Sequence, residues 1–323
     1  MVMTEPFLYE ISHQENLQTL FDVYISESKY SKRLRPQTIK GYQEVFQTFQ
    51  KIVPEVKSVS ELTARSVAEF FRRVSIRKRK IGDETRVGIK ASTTDTYYRK
   101  LMVFFRWLEN NEYVPIGSLS EKVMKPPLPK YTDERALSKD EVARLIAATT
   151  IHRANNAFAR LRDQLIFFLL LYTGIRRGEL LGLRVQDVDL EKDLLFINGE
   201  TSKSRKDRYM PIHQNLRSTL IDYFSLRAKK NIMSSSLVVS LRKDTGLTAH
   251  GLKHWVKKYK DLSGVAFHLH RCRHTFACNL SKAGADVNSI MQLLGHNSLN
   301  MTQRYLRSIK NEESKYFINK LPL

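Results

Sequence analysis

The sequence contains few cysteines and no long hydrophobic run. Its 323 residues include only two cysteines, Cys272 and Cys278, and neither belongs to a Cys-x-x-Cys pair. This pattern fits neither a disulfide framework nor a zinc site. The longest apolar run, residues 165–172, is far shorter than the ~20 residues that a membrane-spanning helix needs. We therefore expect reduced, packed cysteines and a buried helix, with no membrane partner.

Acidic residues are also scarce relative to basic ones. The chain has 54 Lys and Arg against 33 Asp and Glu, which gives a formal net charge of +21. This excess favours a polyanion partner, and no basic amphipathic helix with a continuous apolar face indicates a membrane surface. Residues 1–10 lack the basic and apolar segments of a secretory signal. Nucleic acid is the favoured partner, and the cytoplasm, in association with the nucleoid, is the expected location.

Hydrophobic periodicity divides the chain into two domains. Apolar residues recur at helical spacing in segments 17–24, 36–53, 67–74 and 92–109. We predict a helical domain over residues 1–114, with the basic segment 77–90 as a loop. Residues 115–135 contain most of the chain's closely spaced prolines and are predicted to be a linker. A second domain should occupy residues 136–310, followed by an apolar tail, residues 311–323, that is too short to form its own core.

The second domain shows both helical and strand patterns. Ser138 and Glu141 match a capping box at the start of a helix. Segments 194–197 and 208–212 predict the two strands of a hairpin, and helical patterns follow to the end of the chain. The expected fold class is mainly α, with an N-terminal helical domain and a C-terminal mixed α/β domain that contains a small antiparallel sheet.

Two segments of the second domain place cationic side chains beside predicted structural elements. Arg176 follows the buried helix, where a rigidly held guanidinium could bind phosphate oxygens. A purely structural alternative is a helix end in which Gly174 is the cap and Arg176 pairs with Glu179. Lys203 lies in the predicted hairpin turn, where it could reach a leaving oxygen, and Lys206 competes with it for that role. A solvated basic turn is the structural alternative.

Further candidate residues, histidines and one tyrosine, lie between positions 268 and 305. His270 and Arg273 would share one face of a helix, because they are separated by three positions. The pair His268 and Arg271 has the same spacing and overlaps with them. The histidines could also bind zinc, but this indication is weak because no cysteine or carboxylate stands at metal-ligand spacing. His296 follows a Leu-Gly pair, and Tyr305 stands nine residues further on; each alone would suggest a capping or half-buried residue.

Together these segments resemble the tyrosine recombinase family, also called the phage integrases. Residues 173–180 match its T-G-x-R-x-x-E-L motif, with Arg176 as the first catalytic arginine. Lys203 stands eight residues before Pro211, as the family's lysine does. Residues 270–277 fit the H-x-x-R box with its His-Thr-Phe-Ala continuation, which favours Arg273 over Arg271. Leu-Gly-His at 294–296 and Tyr305 complete the match, which covers nearly the whole chain and is most similar to the simple, two-domain Xer-like type.

The resemblance implies a chemistry and an assembly. Tyr305 would attack a DNA phosphodiester and form a 3′-phosphotyrosine, for integration, excision or resolution of DNA elements. Arg176, Arg273 and His296 would bind the non-bridging oxygens, Lys203 would protonate the leaving 5′ oxygen, and His270 would take the proton of Tyr305. No metal, nucleotide or other cofactor is expected. The resemblance further implies a homo-tetramer on two double-stranded DNA sites, a tail that docks on a neighbouring protomer or on its own, and accessory DNA-bending or directionality proteins.

DNA contacts are predicted from charge and position. The candidates lie in and after the basic segment and in the hairpin turn: Arg77, Lys78, Arg79, Lys80, Lys90, Arg99 and Lys206.

Three alternative functions are compatible with a basic chain. One is topoisomerase-like strand relaxation, and another is a DNA-binding protein without chemistry. A third is a metal-dependent nuclease or transposase, which would use the carboxylates Asp187, Asp189, Glu191 and Asp193.

Overall fold

The computed structural model describes residues 15–82, 84–127, 135–152, 156–201, 206–296, 298 and 302. The chain forms two compact units, which divide after Tyr131. The described residues are mostly helical, with two small antiparallel sheets, which confirms the predicted fold class. Within these ranges, no helix is long and apolar enough to cross a membrane.

The first unit consists of helices and one hairpin. The elements are α1 (Leu17–Tyr30), α2 (Pro36–Ile52), α3 (Ala64–Ile76), β1 (Lys78–Ile81), β2 (Glu84–Val87) and α4 (Ala91–Asn110). The predicted helical segments are confirmed. Asn16 caps α1 through its side chain, and Pro36 occupies the first turn of α2, where a missing N–H costs no helical hydrogen bond.

Aromatic side chains fill the core of the first unit. Phe21 stacks on Phe46 with ring centroids 3.8 Å apart, and Phe104 of α4 meets Phe21 edge to face at 5.1 Å. The core also includes Leu119 and Val123, which are buried. The first unit therefore extends past residue 114 into the segment predicted as a linker.

The basic segment 77–90 is a β-hairpin, so its prediction as a loop was wrong. Strands β1 and β2 are antiparallel, with Arg79 opposite Arg86. Gly82 at the turn and Gly88 at the end adopt positive φ angles. A Cβ atom at Gly88 would lie 2.4 Å from the carbonyl oxygen of Ser75. The described residues of the hairpin are largely exposed, so no apolar alternation marks the strands in the sequence.

The second unit surrounds the apolar helix predicted from the run 165–172. Its elements are α5 (Lys139–Ile151), α6 (Ala157–Thr173), α7 (Arg177–Gly182), β3 (Val188–Asp189), β4 (Leu194–Ile197), β5 (Arg208–Pro211), α8 (Gln214–Lys229), α9 (Ala249–Ser263), α10 (Leu269–Lys282) and α11 (Val287–Leu294). Helix α6 is the central element, because α5, α8 and α10 all pack against it. The capping box of Ser138 and Glu141 is present at the start of α5, and Cys272 and Cys278 are buried and do not form a disulfide.

The sheet of the second unit contains the predicted hairpin and one more strand. Strands β4 and β5 pair antiparallel, with Ile197 opposite Arg208. Strand β3 pairs with β4 on the other side. The sequence did not indicate β3, because its two residues lie in an acidic stretch that is typical of a solvated turn.

We expect Phe104→Ala to destabilise the first unit by about 3–5 kcal/mol, because it removes a buried ring that contacts several others. The chain has two tryptophans, one in each unit, so a Trp255→Phe background makes Trp107 the only fluorescent reporter. Urea unfolding followed by this fluorescence measures the loss. The control Val103→Ala, at a side chain that is 40% exposed, should change stability by less than about 0.5 kcal/mol. Equal losses for both variants would contradict the packing described.

Candidate active site

The first component of the candidate site is the end of α6. Gly174 ends this helix with a φ of 57°. A Cβ atom there would lie 2.6 Å from Phe276 of α10 and 3.1 Å from Leu294 of α11, so only glycine allows these three helices to meet. Arg176 follows directly and precedes α7. The chain turn after α6 therefore brings Arg176 to the ends of two other helices.

The second component is the carboxyl-terminal end of α11. Arg208 Nε donates to the carbonyl oxygen of Leu293 at 2.9 Å, and Arg273 Nη2 donates to that of Leu294. Arg176 Nη2 donates to the carbonyl oxygen of Gly295 at 3.0 Å. The last carbonyls of a helix lack intrahelical partners and carry partial negative charge, so guanidiniums stabilise them. Three arginines from three parts of the chain thus converge on three consecutive carbonyls.

A buried carboxylate joins two of these arginines. Glu179 of α7 accepts hydrogen bonds from Arg176 Nη1 at 2.9 Å and from Arg208 Nη2 at 2.8 Å. It also accepts the backbone N–H of Arg176 at 2.9 Å. The structural alternative for this segment is therefore correct in its contacts, since Gly174 is the cap of α6 and Arg176 pairs with Glu179. The same contacts fix the direction of the Arg176 side chain.

His296 lies among the guanidiniums of Arg176, Arg208 and Arg273, which together form a cationic cluster. Its Nε2 atom is 2.9 Å from Arg273 Nη2, and its Nδ1 atom is 2.8 Å from the hydroxyl oxygen of Thr302. Burial, together with the positive charges of Arg273, Arg176 and Arg208, lowers the pKa of His296 to about 3. The imidazole is therefore neutral at physiological pH. Burial is the largest cause of this shift, and the three guanidinium charges add to it; these charges suit an anionic ligand.

The two overlapping His-x-x-Arg pairs lie in different environments. Arg271 is buried and donates to both carboxylate oxygens of Glu141, which joins the start of the second unit to α10. His268 caps α10 by accepting the N–H of Arg271. His270, by contrast, is exposed one turn before Arg273. Only the pair of His270 and Arg273 has its arginine in the cationic cluster.

The β4–β5 connection begins beside α7, the helix that follows Arg176. Gly178 and Gly182 of α7 allow Thr201 to approach closely, since a Cβ atom at Gly182 would lie 2.4 Å from the Thr201 side chain. Thr201 is the last described residue before Lys203, which itself lies outside the described residues, as does Tyr305. Lys206 is described and exposed.

The predicted DNA-contact residues lie mostly on the hairpin of the first unit. Arg77 precedes β1, and Lys78, Arg79 and Lys80 belong to it. Arg79 donates to the carbonyl oxygen of Gly88 at 2.7 Å, whereas Lys78 and Lys80 are exposed. Of the other two candidates, Lys90 directly precedes α4 and makes no side-chain capping bond, and Arg99 of α4 pairs with Asp95.

The carboxylates of the nuclease alternative make local contacts. Asp187 accepts the N–H of Arg184 at 2.7 Å, and Asp189 accepts those of Glu191 and Lys192. Asp193 accepts from Arg217 at 2.7 Å. In the part of the chain that the structure describes, no group of three His, Cys, Asp or Glu could hold a metal ion.

Comparison with known proteins identifies the family. Residues 135–312, more than half of the chain, match the model of the phage integrase family. The chain belongs to the phage integrase family. Members of this family, the tyrosine recombinases, catalyse DNA cleavage and rejoining, so the predicted family and type of enzyme are confirmed.

Individual relatives extend this similarity over the whole chain. A tyrosine recombinase of Agathobacter rectalis is 27% identical over 318 residues, which cover 95% of this chain and 97% of that protein. Tyrosine recombinase XerA of Pyrococcus furiosus is 34% identical over 221 residues, 68% of this chain and 71% of the relative. A crystal structure of a lambda integrase tetramer bound to a Holliday junction shares the fold, with a TM-score of 0.69, 16% identity and coverage of 91% and 78% of the two chains.

Two residues of this recombinase site were missed in the sequence, namely Arg208 and Thr302. Arg208 stands two positions before the buried Met210 in β5, with the exposed Tyr209 between them. The alternation of a strand therefore turns Arg208 inward, and this signal was available in the predicted strand 208–212. No comparable signal marks Thr302, because its contact depends on the position of His296.

We expect the stability contributed by Glu141 to depend on pH. Burial alone would raise the pKa of this carboxyl, but hydrogen bonds from Ser138, Arg271 and Arg135 lower it to about 2, below its ordinary value of 4.5. Its contribution should be complete above pH 4.5 and disappear as the pH falls toward 2. Glu141→Gln should therefore cost about 1.5–3 kcal/mol at neutral pH and progressively less in acid.

Chemical denaturation of both proteins between pH 2 and pH 7 measures this difference. Asp140→Asn is the matched control, because the Asp140 side chain is 78% exposed on the same helical turn. A Glu141→Gln deficit that stayed constant across this range would contradict the assignment.

Proposed function

We propose that this chain is a site-specific DNA recombinase whose nucleophile is Tyr305 and whose phosphate-binding groups are Arg176, Arg273 and His296. The main observation in support of this proposal is that the side chains of Arg176, Arg273 and His296 converge at the end of α11. A guanidinium has five N–H donors in a planar fork that matches phosphate oxygens. The positive charges of Arg273, Arg176 and Arg208, which contribute with burial to the lowered pKa of His296, favour an anion at the same place.

The proposed reaction begins with attack of the Tyr305 hydroxyl oxygen on the phosphorus of a DNA phosphodiester. A phenol has a pKa of about 10, so its attack at neutral pH needs a base, and His270 takes this proton. Arg176 and Arg273 bind the non-bridging oxygens and stabilise the extra negative charge of the pentacoordinate phosphorus. His296 donates a hydrogen bond to one of these oxygens. Lys203 protonates the 5′ oxygen as it leaves, with Lys206 as the competing candidate.

The covalent intermediate explains why no energy source is required. The bond between the 3′ phosphate and Tyr305 replaces the broken phosphodiester bond, so one ester is exchanged for another. A 5′ hydroxyl of a second strand can then attack the phosphotyrosine and release Tyr305. The sequence contains no G-x-x-x-x-G-K-[ST] loop, in accord with a reaction that uses no nucleotide.

Assembly and location belong to the same proposal. A structural relative is a lambda integrase tetramer bound to a Holliday junction, and we propose that this chain likewise acts as a homo-tetramer on two double-stranded DNA sites. The apolar tail, residues 311–323, would dock on a neighbouring protomer or on its own. Such a recombinase would act in the cytoplasm, on the nucleoid. Accessory DNA-bending or directionality proteins stay a prediction from the sequence.

One face of the first unit's hairpin supports DNA binding better than the other. Arg79 and Arg86 are opposite each other and share a face. There Arg79 binds the carbonyl oxygen of Gly88, and Arg86 pairs with Glu84 at 2.7 Å. Lys78 and Lys80 lie on the opposite face, where both are exposed. We propose that this lysine face, rather than the arginine face, contacts DNA phosphates.

We expect Tyr305→Phe to retain DNA binding and to lose the covalent adduct, because the nucleophilic oxygen is absent. The substrates are nicked duplexes tiled from the sequence that flanks the gene, incubated with EDTA. A denaturing gel then detects protein attached to DNA. Tyr316→Phe is the matched control and should form the adduct normally. An adduct that persisted in Tyr305→Phe and disappeared in Tyr316→Phe would transfer the nucleophile to Tyr316.

Arginine variants extend the same assay. Arg176→Ala or Arg273→Ala should slow adduct formation about 10²–10³-fold, the effect of removing one preorganised donor to a developing charge. Cleavage that required Mg²⁺ and left no adduct would contradict the proposed function and favour a metal-dependent nuclease.

The proposal that the lysine face of the β1–β2 hairpin contacts DNA predicts a difference in the salt dependence of binding. Lys78→Ala and Lys80→Ala should each weaken binding to duplex DNA and reduce the slope of log K against log salt concentration by about 1. Arg86→Ala, the control on the other face, should leave this slope nearly unchanged. Fluorescence anisotropy with a labelled duplex at several salt concentrations measures the slopes. Loss of slope in Arg86→Ala alone would reverse the proposed face.

A further inference from the structure

Two described side chains contact the ring nitrogens of His296, and one of them restricts its protonation. The guanidinium of Arg273 has donors and no acceptor. At 2.9 Å, Arg273 Nη2 must therefore donate to Nε2 of His296, which carries a lone pair. The imidazole is neutral, so its single proton is on Nδ1. Nδ1–H then donates to the hydroxyl oxygen of Thr302 at 2.8 Å.

This tautomer is the wrong one for the proposed reaction. To donate a hydrogen bond to a phosphate oxygen, His296 must carry a proton on Nε2, the atom that accepts from Arg273 in the DNA-free protein. A phosphate that binds Arg273 would supply oxygen acceptors for its guanidinium. Nε2 would then face a negatively charged acceptor, which favours an N–H at this atom.

Thr302 has the chemistry that such a change requires. A hydroxyl group both donates and accepts, and its hydrogen can rotate to suit the partner. Thr302 can therefore accept from Nδ1–H in one tautomer and donate to the lone pair of Nδ1 in the other. Its side chain is fully buried, so the folded protein holds this hydroxyl beside the ring. Thr302 also stands three residues before Tyr305 in the sequence.

We propose that Thr302 is a positioning residue that holds the His296 ring in both tautomers and lets its proton move from Nδ1 to Nε2 when a DNA phosphate enters. The exchange is balanced, because Nδ1 releases one proton to solvent and Nε2 takes one up. The charges around the ring are Arg273, Arg176, Arg208 and Glu179, and none of them has to titrate. This inference rests on the proposed role of His296 in phosphate binding, and extends it to a residue outside the family motifs quoted above.

The DNA-free protein gives the first test. Nitrogen-15 NMR of histidine-labelled full-length protein reports which ring nitrogen carries a proton, and the spectrum of His296→Ala identifies the signals of His296. We expect a protonated Nδ1 and an unprotonated Nε2 at pH 7. A proton on Nε2 in the absence of DNA would overturn the inference without touching the proposed nucleophile.

A double-mutant cycle gives the second test, in the adduct assay. Thr302→Val removes the hydroxyl at nearly constant volume and should slow adduct formation about 10-fold or more, whereas Thr302→Ser should restore most of the rate. In a His296→Ala background, Thr302→Val should cause no further loss, because Thr302 acts through His296. Equal losses in both backgrounds would mean a merely structural role and would overturn the proposal.

Two controls separate the possible failures. Thr219→Val removes another buried hydroxyl, which donates to the carbonyl oxygen of Asn215 one turn earlier in α8. This variant should change neither the rate nor the tautomer. If His296→Ala itself formed adduct at the normal rate, the proposed role of His296 would fail, and the Thr302 inference with it, while Tyr305 chemistry would stand. Should Thr302→Val fail to fold, the Thr302→Ser rate and the wild-type tautomer still decide the matter.

Discussion

The carboxyl-terminal end of α11 is the constraint on which the candidate site depends. Its last carbonyls need donors, and three guanidiniums supply them from β5, from α10 and from the junction between α6 and α7. Because each arginine belongs to a different element, these hydrogen bonds determine how the elements meet. The cationic cluster is thereby assembled before any phosphate arrives, which is the preorganisation that electrostatic catalysis requires.

Such a cluster brings like charges together, and the structure offsets only part of their repulsion. Glu179 neutralises one of the three arginine charges, and His296 adds none because its pKa is about 3. Among the described residues of the cluster, the net charge is therefore +2. A phosphodiester has one negative charge, whereas the pentacoordinate species formed by tyrosine attack has two. The cluster thus matches the transition state better than the ground state, and this difference is what accelerates a reaction.

Sequence reasoning identified residues that stand in recognisable motifs and missed residues of the same cluster that stand outside them. Arg176, Arg273 and His296 stand in recognisable motifs, and the structure brings them together. Arg208 was predicted only as the first residue of a strand, although strand alternation turns it inward. The hairpin after α3 was also missed, because charged residues fill both of its faces and leave no apolar alternation to detect. His270, Lys203 and Tyr305 stay predictions as catalytic residues.

The structural and the catalytic interpretations of Arg176 use the same atoms, so they do not compete. In the DNA-free protein, backbone carbonyls with partial negative charge satisfy donors of this side chain. A phosphate oxygen carries a larger negative charge than a carbonyl oxygen, and a phosphate can accept two parallel hydrogen bonds from one guanidinium. An entering phosphate can therefore draw on donors that helix ends have already aligned, while Glu179 continues to hold the guanidinium plane. Carbonyl oxygens at the helix end thus bind these donors until a phosphate enters, and this is why the site keeps its geometry without DNA.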